Sequence, residues 1–397
     1  MKQYYHVGHM ISAVSELEMN RRWHAIQTQL ERANVDCLLM YGMEARQGAP
    51  VKYTINWSCE DGQGYTIVVP RKGKGAVFGH GYYGTPTIPP ECVSQIEFNV
   101  AAPMAPVLGY TDMYIPRLIV EYLGRLGPIK RVGIYRRNIL PWHFVQYVKE
   151  CFPDVEIVDC DELYDSVKAM KSDEEIETLI DSARFHDQLF AAMNIFIRPG
   201  RLEREINVDL RKAALDLDVE SLNIFIGSGK TVNDLEPELP MQMQTRRLED
   251  GDMVKVVIKN AMRGGYFSCL GRMWSIGEPS SEYQKAVEDS IVLEDVLASK
   301  LVPGASTAEL CREAELFRKA NGYLPDDRLI GGAMGTEILE RPVFLENESM
   351  KINDHMVFAL YAGLKTDKVY ASCCDSYLLI DKKITRITNT ERKLFVI

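Results

Sequence analysis

Two stretches of this chain repeat one construction, and the repetition narrows the folds open to it. Ile197-Arg198-Pro199-Gly200-Arg201-Leu202-Glu203 is echoed by Leu301-Val302-Pro303-Gly304-Ala305-Ser306-Thr307-Ala308-Glu309. Each follows a long run of helical periodicity and each precedes another. Pro-Gly alone ends many helices, since proline cannot extend the hydrogen-bond ladder and glycine accepts the left-handed turn. Two matched helix–Pro-Gly–helix units in one half of a chain predict a duplicated architecture, and two are too few for a solenoid. The first unit opens at Ser172, where Glu175 three residues later completes a capping box. Ile176, Leu179, Ile180, Ala183, Leu189 and Met193 then recur at helical spacing.

The first half reads as alternating strands and helices. A helix is predicted from Ser15, an N-cap with Glu18 behind it, to Ala33, its apolar positions including Leu17, Trp23, Ile26 and Leu30. Strand-like runs follow at 37–40, 65–69, 75–78 and 131–135, and a helix from Trp142 to Phe152 leads to 155–158. Alternation of this kind predicts an α/β domain. A length of 397 residues suits two domains, placed at 1–165 and 166–397.

Composition excludes several classes of partner. No run of about 18 apolar residues occurs, so no membrane-spanning helix is expected. The opening Met1-Lys2-Gln3-Tyr4-Tyr5-His6 has no basic segment leading into an apolar one, so no secretory leader is expected. The net charge is −10 and the basic residues are dispersed, which argues against nucleic acid. Nine cysteines, none in a Cys-x-x-Cys pair, suit free thiols in a reducing compartment. A cytoplasmic protein with a small-molecule or peptide partner is expected.

Motifs along the second half carry a resemblance. Pro199-Gly200-x-x-Glu203-x-Glu205-Ile206 is followed by Gly227-Ser228-Gly229, then by 247–254, Arg-Leu-Glu-Asp-Gly-Asp-Met-Val. Gly265-Tyr266 with Arg272, Gly331-Gly332-Ala333-Met334-Gly335, and Met356-Val357-Phe358 before Gly363 complete the order. The chain resembles the pita-bread family of creatinase, prolidase, aminopeptidase P and methionine aminopeptidase. The resemblance implies an α/β creatinase-like N-terminal domain, an α+β pita-bread C-terminal domain and a homodimer.

Peptidases of that family hold two divalent metals through two Asp, one His and two Glu. In this sequence the matching positions carry Val257, Cys269, Gly332, Tyr361 and Cys374, so every ligand has changed. A slip of one residue would restore only one of them, Asp375. Hard divalent cations want carboxylate or imidazole donors converging on one point, so no metal and no other cofactor is expected. Creatinase works without metal, through a His, but the corresponding region here reads Asp234-Leu235-Glu236-Pro237, and the Glu before the motif's Arg is Gly271.

The residues at and near those positions are the candidates for chemistry. Cys269 and Cys374 are expected to approach one another, as a nucleophile with a partner, a redox pair or a soft-metal site, or else as small buried fillers. Lys255, Val257 and Lys259 share one strand face because side chains alternate with period two. Lys259 then either replaces a metal's charge toward an anion or sits solvated at a strand end. Tyr361 is a candidate acid or donor. Arg272 and Asp375 either bind substrate or form an internal salt bridge. Glu337 and Glu340 are candidate bases or surface carboxylates. Trp57 and Glu60 fall where relatives send a loop toward a partner subunit's site, or in a turn between strands. Gly227-Ser228-Gly229-Lys230-Thr231 imitates a phosphate loop, but Ile224 stands where its first glycine belongs, so nucleotide binding is not expected.

The expected activity is therefore metal-independent work on a small polar, carboxylate-bearing substrate, a creatinase-like C–N hydrolysis or a related lyase step. The alternatives are an inactive homologue that binds a ligand or a protein, and a soft-metal enzyme using Cys269 and Cys374.

Overall fold

The computed structural model describes residues 6–7, 10–11, 14–43, 49–57, 64–89, 93–103, 113–217, 219–235, 240–262 and 264–397. The chain divides into two compact units, Met1–Lys168 and Ala169–Ile397. The expected break at 165 lies inside the helix Asp161–Ala169.

In the first unit, helix α1 (Glu16–Arg32) starts as predicted, with the Glu18 amide donating to Ser15 Oγ at 3.1 Å. Met19, Trp23, Ile26 and Leu30 are buried along one stripe, while Leu17 is 81% exposed and lies outside it. The sheet contains β1 (Cys37–Gly42), β2 (Tyr65–Pro70), β3 (Gly75–His80), β4 (Ile96–Ala102), β5 (Arg131–Ile134) and β6 (Glu156–Asp159) in the order β4-β3-β2-β1-β5-β6. β1, β2 and β3 are nearly continuous in burial, as strands covered on both faces must be.

The second unit is built from two helix pairs against one sheet. Helix α2 (Asp173–Ala191) carries the predicted capping box: Ser172 and Glu175 each accept the other's backbone amide, at 3.2 and 2.7 Å. Helix α3 (Glu203–Leu215) follows it; α4 (Ser281–Ser299) and α5 (Thr307–Ala320) form the second pair. Gly200 and Gly304, the matched glycines, have φ of 83° and 91°, a conformation that a β-carbon would strain.

The sheet comprises β7 (Val219–Gly229), β8 (Met253–Met262), β9 (Phe267–Ser275), β10 (Gly331–Ala333), β11 (Glu340–Val343), β12 (Met356–Lys365), β13 (Tyr370–Ile380), β14 (Lys383–Arg386) and β15 (Leu394–Val396). Its path is β11-β10-β12-β13-β9-β8-β7, with β14 on β13 and β15 on β9. This is the curled, largely antiparallel sheet of the pita-bread fold. Strand parity sorts its side chains. Val254, Val256 and Ile258 of β8 pack with Phe185, Leu189 and Leu210 of the helices, and Phe358, Leu360 and Ala362 of β12 pack with Leu293 and Leu310. The alternate residues face a cavity.

Candidate active site

One register row crosses four strands and sets the floor of that cavity. Val257 on β8 pairs with Gly271 on β9, Gly271 with Cys374 on β13, and Cys374 with Tyr361 on β12. Three of the five positions assigned to metal ligands thus lie side by side. Gly271 is required there, since a β-carbon would stand 2.9 Å from Val257 Cγ2 and 3.0 Å from Cys374 Cβ. The adjoining row pairs Lys259 with Cys269, and Gly332 with Ala359. The cavity encloses about 480 Å³, and its wall includes Val257, Lys259, Tyr361 and Cys374.

Cys269 and Cys374 do meet. Their sulfurs are 3.1 Å apart, in contact but far longer than a disulfide bond, and both are free thiols. Burial, reinforced by the neighbouring Cys269, pushes the Cys374 thiol well above its ordinary range. A neutral thiol is a poor nucleophile, so the expected catalytic role of Cys374 as a thiolate does not suit this environment.

Lys259 and Tyr361 form the polar end of the cavity. The Lys259 ammonium stands 4.4 Å from the centre of the Tyr361 ring and 5.9 Å from that of Phe225. Burial works against its charge, but the phenol of Tyr361 and the Cys269 thiol outweigh that, and the ammonium is held above its ordinary range. Burial likewise keeps the Tyr361 hydroxyl protonated beyond its usual range, against the pull of Lys259. Among the described residues, Lys259 has no carboxylate within salt-bridge distance, and Tyr361 Oη has no hydrogen-bond partner of good geometry. At neutral pH the pair is a cation beside a neutral phenol.

Among the wall residues that escaped the sequence reading are Arg318, Asp326, Arg328 and Tyr370. Arg318 ends α5, and its guanidinium reaches the Gly363 carbonyl at 3.3 and 3.4 Å. Arg328 holds Asp326 with two bonds, at 2.8 and 2.5 Å. Burial opposes the charge on Asp326, yet these bonds keep its carboxyl below the ordinary range. Asp326 and Arg328 come from the segment after α5, which carries no periodic pattern, while Arg318 lies in the last turn of α5 and Tyr370 opens β13.

Other candidates belong elsewhere. Arg272 and Asp375 do not line the cavity. They have the opposite strand parity to Gly271 and Cys374, and they form a buried ion pair of 2.9 Å behind the sheet. Thr388 and Arg386 complete the bonding of Asp375. Of the two alternatives for this pair, the internal salt bridge is formed, and Asp375 has the strand parity opposite to that of the cavity residue Cys374. Glu294 of α4 joins Cys373 and Asp375, donor atoms within 4.8 Å of one another. The Arg272 guanidinium, 2.9 Å from Asp375 and 3.5 Å from Cys373 Sγ, already supplies the cation in that cluster. Glu340 is neither a surface carboxylate nor a wall residue: it is buried against Lys171 at 2.9 Å. Glu337 is also buried. Trp57, in the first unit, donates to Tyr65 Oη at 3.0 Å and packs against that unit's core. Glu60 lies outside the described residues.

Residues 177–389 match the model of metallopeptidase family M24. The chain belongs to that family. It is 24% identical over 279 residues to the Xaa-Pro dipeptidase of Pyrococcus horikoshii, spanning 69% of this chain and 77% of that one. Among solved structures, the prolidase of Thermococcus sibiricus superposes with a TM-score of 0.80 at 17% identity, over 96% of this chain and 99% of that one. The prolidase of Pyrococcus horikoshii gives 0.76 at 20% identity, over 95% and 100%.

Membership of family M24 implies metal, and the donors present can be tested against it. A pair of hard divalent ions needs oxygen and imidazole ligands. The five positions offer a valine, a glycine, two thiols in contact and a phenol, with an ammonium beside them. This set does not fit a dinuclear site.

Proposed function

We propose that this M24 protein acts without metal on a small carboxylate-bearing substrate, through the Lys259–Tyr361 end of the cavity. The observation that carries the reading is a lysine ammonium beside a protonated phenol, with no carboxylate in salt-bridge range among the described residues. A half-buried cation without a counter-ion in range carries a desolvation cost, and an incoming carboxylate relieves that cost. Lys259 then holds the acid group, or polarises a carbonyl as a metal would, while Tyr361 donates a hydrogen bond to the same oxygen. Cys374, as a neutral thiol, shapes the floor.

The reaction class that suits this arrangement is cleavage of a C–N bond next to a carboxylate. An Xaa-Pro dipeptide, the substrate in the name of the Pyrococcus relative, is one molecule of that kind. Hydrolysis also needs a group to take a proton from water. Asp326 is the one carboxylate on the described wall, and Arg328 holds it low. That observation favours a second reading, in which the cavity binds its ligand without turning it over.

Titration calorimetry with a panel of small carboxylates tests the proposal. Binding is expected in chelator-treated buffer, weakening by roughly tenfold or more in Lys259→Met, the scale of one hydrogen bond to a charged group. Unchanged affinity in Lys259→Met, or binding only when a divalent ion is added, would sink it. Ligands that bind but are never cleaved would decide for the second reading.

A further inference from the structure

Carboxylate binding leaves two thiols at the cavity floor unused. Cys269 and Cys374 are free cysteines with sulfurs 3.1 Å apart. A disulfide bond is about 2.05 Å long, so the sulfurs have only about 1 Å left to close. Cys374 also lines the cavity, within reach of a small molecule that enters it.

The local backbone favours that closure. β9 and β13 pair at Gly271–Cys374, and Cys269 is the next residue of β9 on the same face. Gly271 carries no side chain to stand between the thiols; a β-carbon there would lie 3.0 Å from Cys374 Cβ. At Cys269 a hydroxyl joins the two strands. Ser376 Oγ accepts from the Cys269 amide at 2.9 Å and donates to the Cys269 carbonyl at 2.9 Å. A side-chain bridge of this kind adjusts by rotation about χ1, which a main-chain ladder cannot do. Cys373 does not compete for Cys269: it has the opposite parity to Cys374, and its sulfur lies 3.5 Å from the Arg272 guanidinium.

We infer that Cys269 and Cys374 form a reversible oxidation site, closing to a disulfide when a small hydroperoxide enters the cavity. The Cys374 sulfur attacks the terminal peroxide oxygen, the O–O bond breaks, and the thiol proton leaves on the alcohol. Cys374 is then a sulfenic acid. The Cys269 sulfur attacks it, the S–S bond forms as the S–O bond breaks, and water leaves with the Cys269 proton. The two thiols lose two electrons and the hydroperoxide gains them. Burial and the neighbouring Cys269 hold back ionisation of Cys374, while Lys259 works the other way. The first step is therefore slow at neutral pH, which suits a single event per molecule rather than turnover.

Peptide mapping by mass spectrometry tests this on the full chain, treated with hydrogen peroxide and then with an alkylating agent. A linked pair of peptides containing Cys269 and Cys374 is expected, two hydrogens lighter than their sum and separated again by dithiothreitol. Cys373→Ser should keep the link and Cys374→Ser should lose it, which assigns it between the adjacent cysteines. Formation should be roughly tenfold or more faster at pH 9 than at pH 7, and slower in Lys259→Met. Where a variant fails to fold, as judged by its melting curve, the link in the natural chain still decides. A natural chain that keeps both thiols while the exposed Cys151 is oxidised would overturn the inference. So would Cys374 running on to a sulfinic acid with Cys269 still a thiol, or a link that forms only in denaturant. None of these outcomes touches carboxylate binding, which the titration of Lys259→Met reads separately.

Discussion

Lys259 and Arg272 are both cations on neighbouring strands of one sheet, yet their environments give them opposite duties. Lys259 faces a cavity without a carboxylate in salt-bridge range among the described residues. Arg272 is buried and spends its guanidinium on Asp375, on the Thr390 and Glu391 carbonyls, and on Cys373 Sγ. Removing one member of such a pair strands the other charge in the interior, at about 3–5 kcal/mol. Arg272→Met is therefore expected to lose most of its stability in a urea titration, whereas Lys259→Met should keep its midpoint and lose ligand. A stable Arg272→Met that no longer binds carboxylates would return Arg272 to the substrate site. Strand parity alone separates these two roles: Gly271 and Cys374 are floor residues, so their immediate neighbours Arg272 and Asp375 must point away. The sequence already contained that argument. It did not contain the partner of Glu340, because Lys171 comes from 169 residues away.

At the scale of elements, legibility follows how local the signal is. The Ser172 capping box and the Pro-Gly stops are written within a few residues, and helices α2 to α5 appear where those signals put them. The face shared by Lys255, Val257 and Lys259 is local too. Asp326 and Arg328 owe their place to the segment after α5, which no periodicity announces. Helix α2 also carries a titration that its sequence does not advertise. His186 is fully buried on it, and burial pushes the imidazole down to about 4 from an ordinary 6.5, with Asp187 and Asp375 recovering only part of the loss. The unfolded chain then binds the extra proton between those values, so the native state is favoured above pH 6.5 and loses that advantage as pH falls toward 4. The full effect is about 3 kcal/mol. The urea midpoint is expected to fall steeply over this window in the natural chain and more gently in His186→Leu. Parallel pH profiles for the two would remove His186 from the account.

At the scale of the whole molecule, family M24 keeps its scaffold here while the donors at its centre are exchanged. The sheet does not depend on metal for cohesion at this point: Val257, Gly271, Cys374 and Tyr361 pack edge to edge in one row, and Lys259 supplies positive charge beside it. A stability measurement separates this arrangement from a metal-bearing one. A site holding an ion at a hundred times its dissociation constant stabilises the native state by about 2.7 kcal/mol. In a domain of this size that is a shift of roughly 5–10 °C in melting midpoint. The chain is therefore expected to melt within about 1 °C of the same temperature after exhaustive chelation and after addition of manganese, cobalt or zinc, the differences staying well below that scale. A gain of several degrees with manganese, lost again on chelation, would mean that a dinuclear site assembles from other residues. A gain confined to zinc and abolished by Cys374→Ala would instead mean that the two thiols in contact give up their protons to a soft ion, displacing the cationic end that Lys259 now forms.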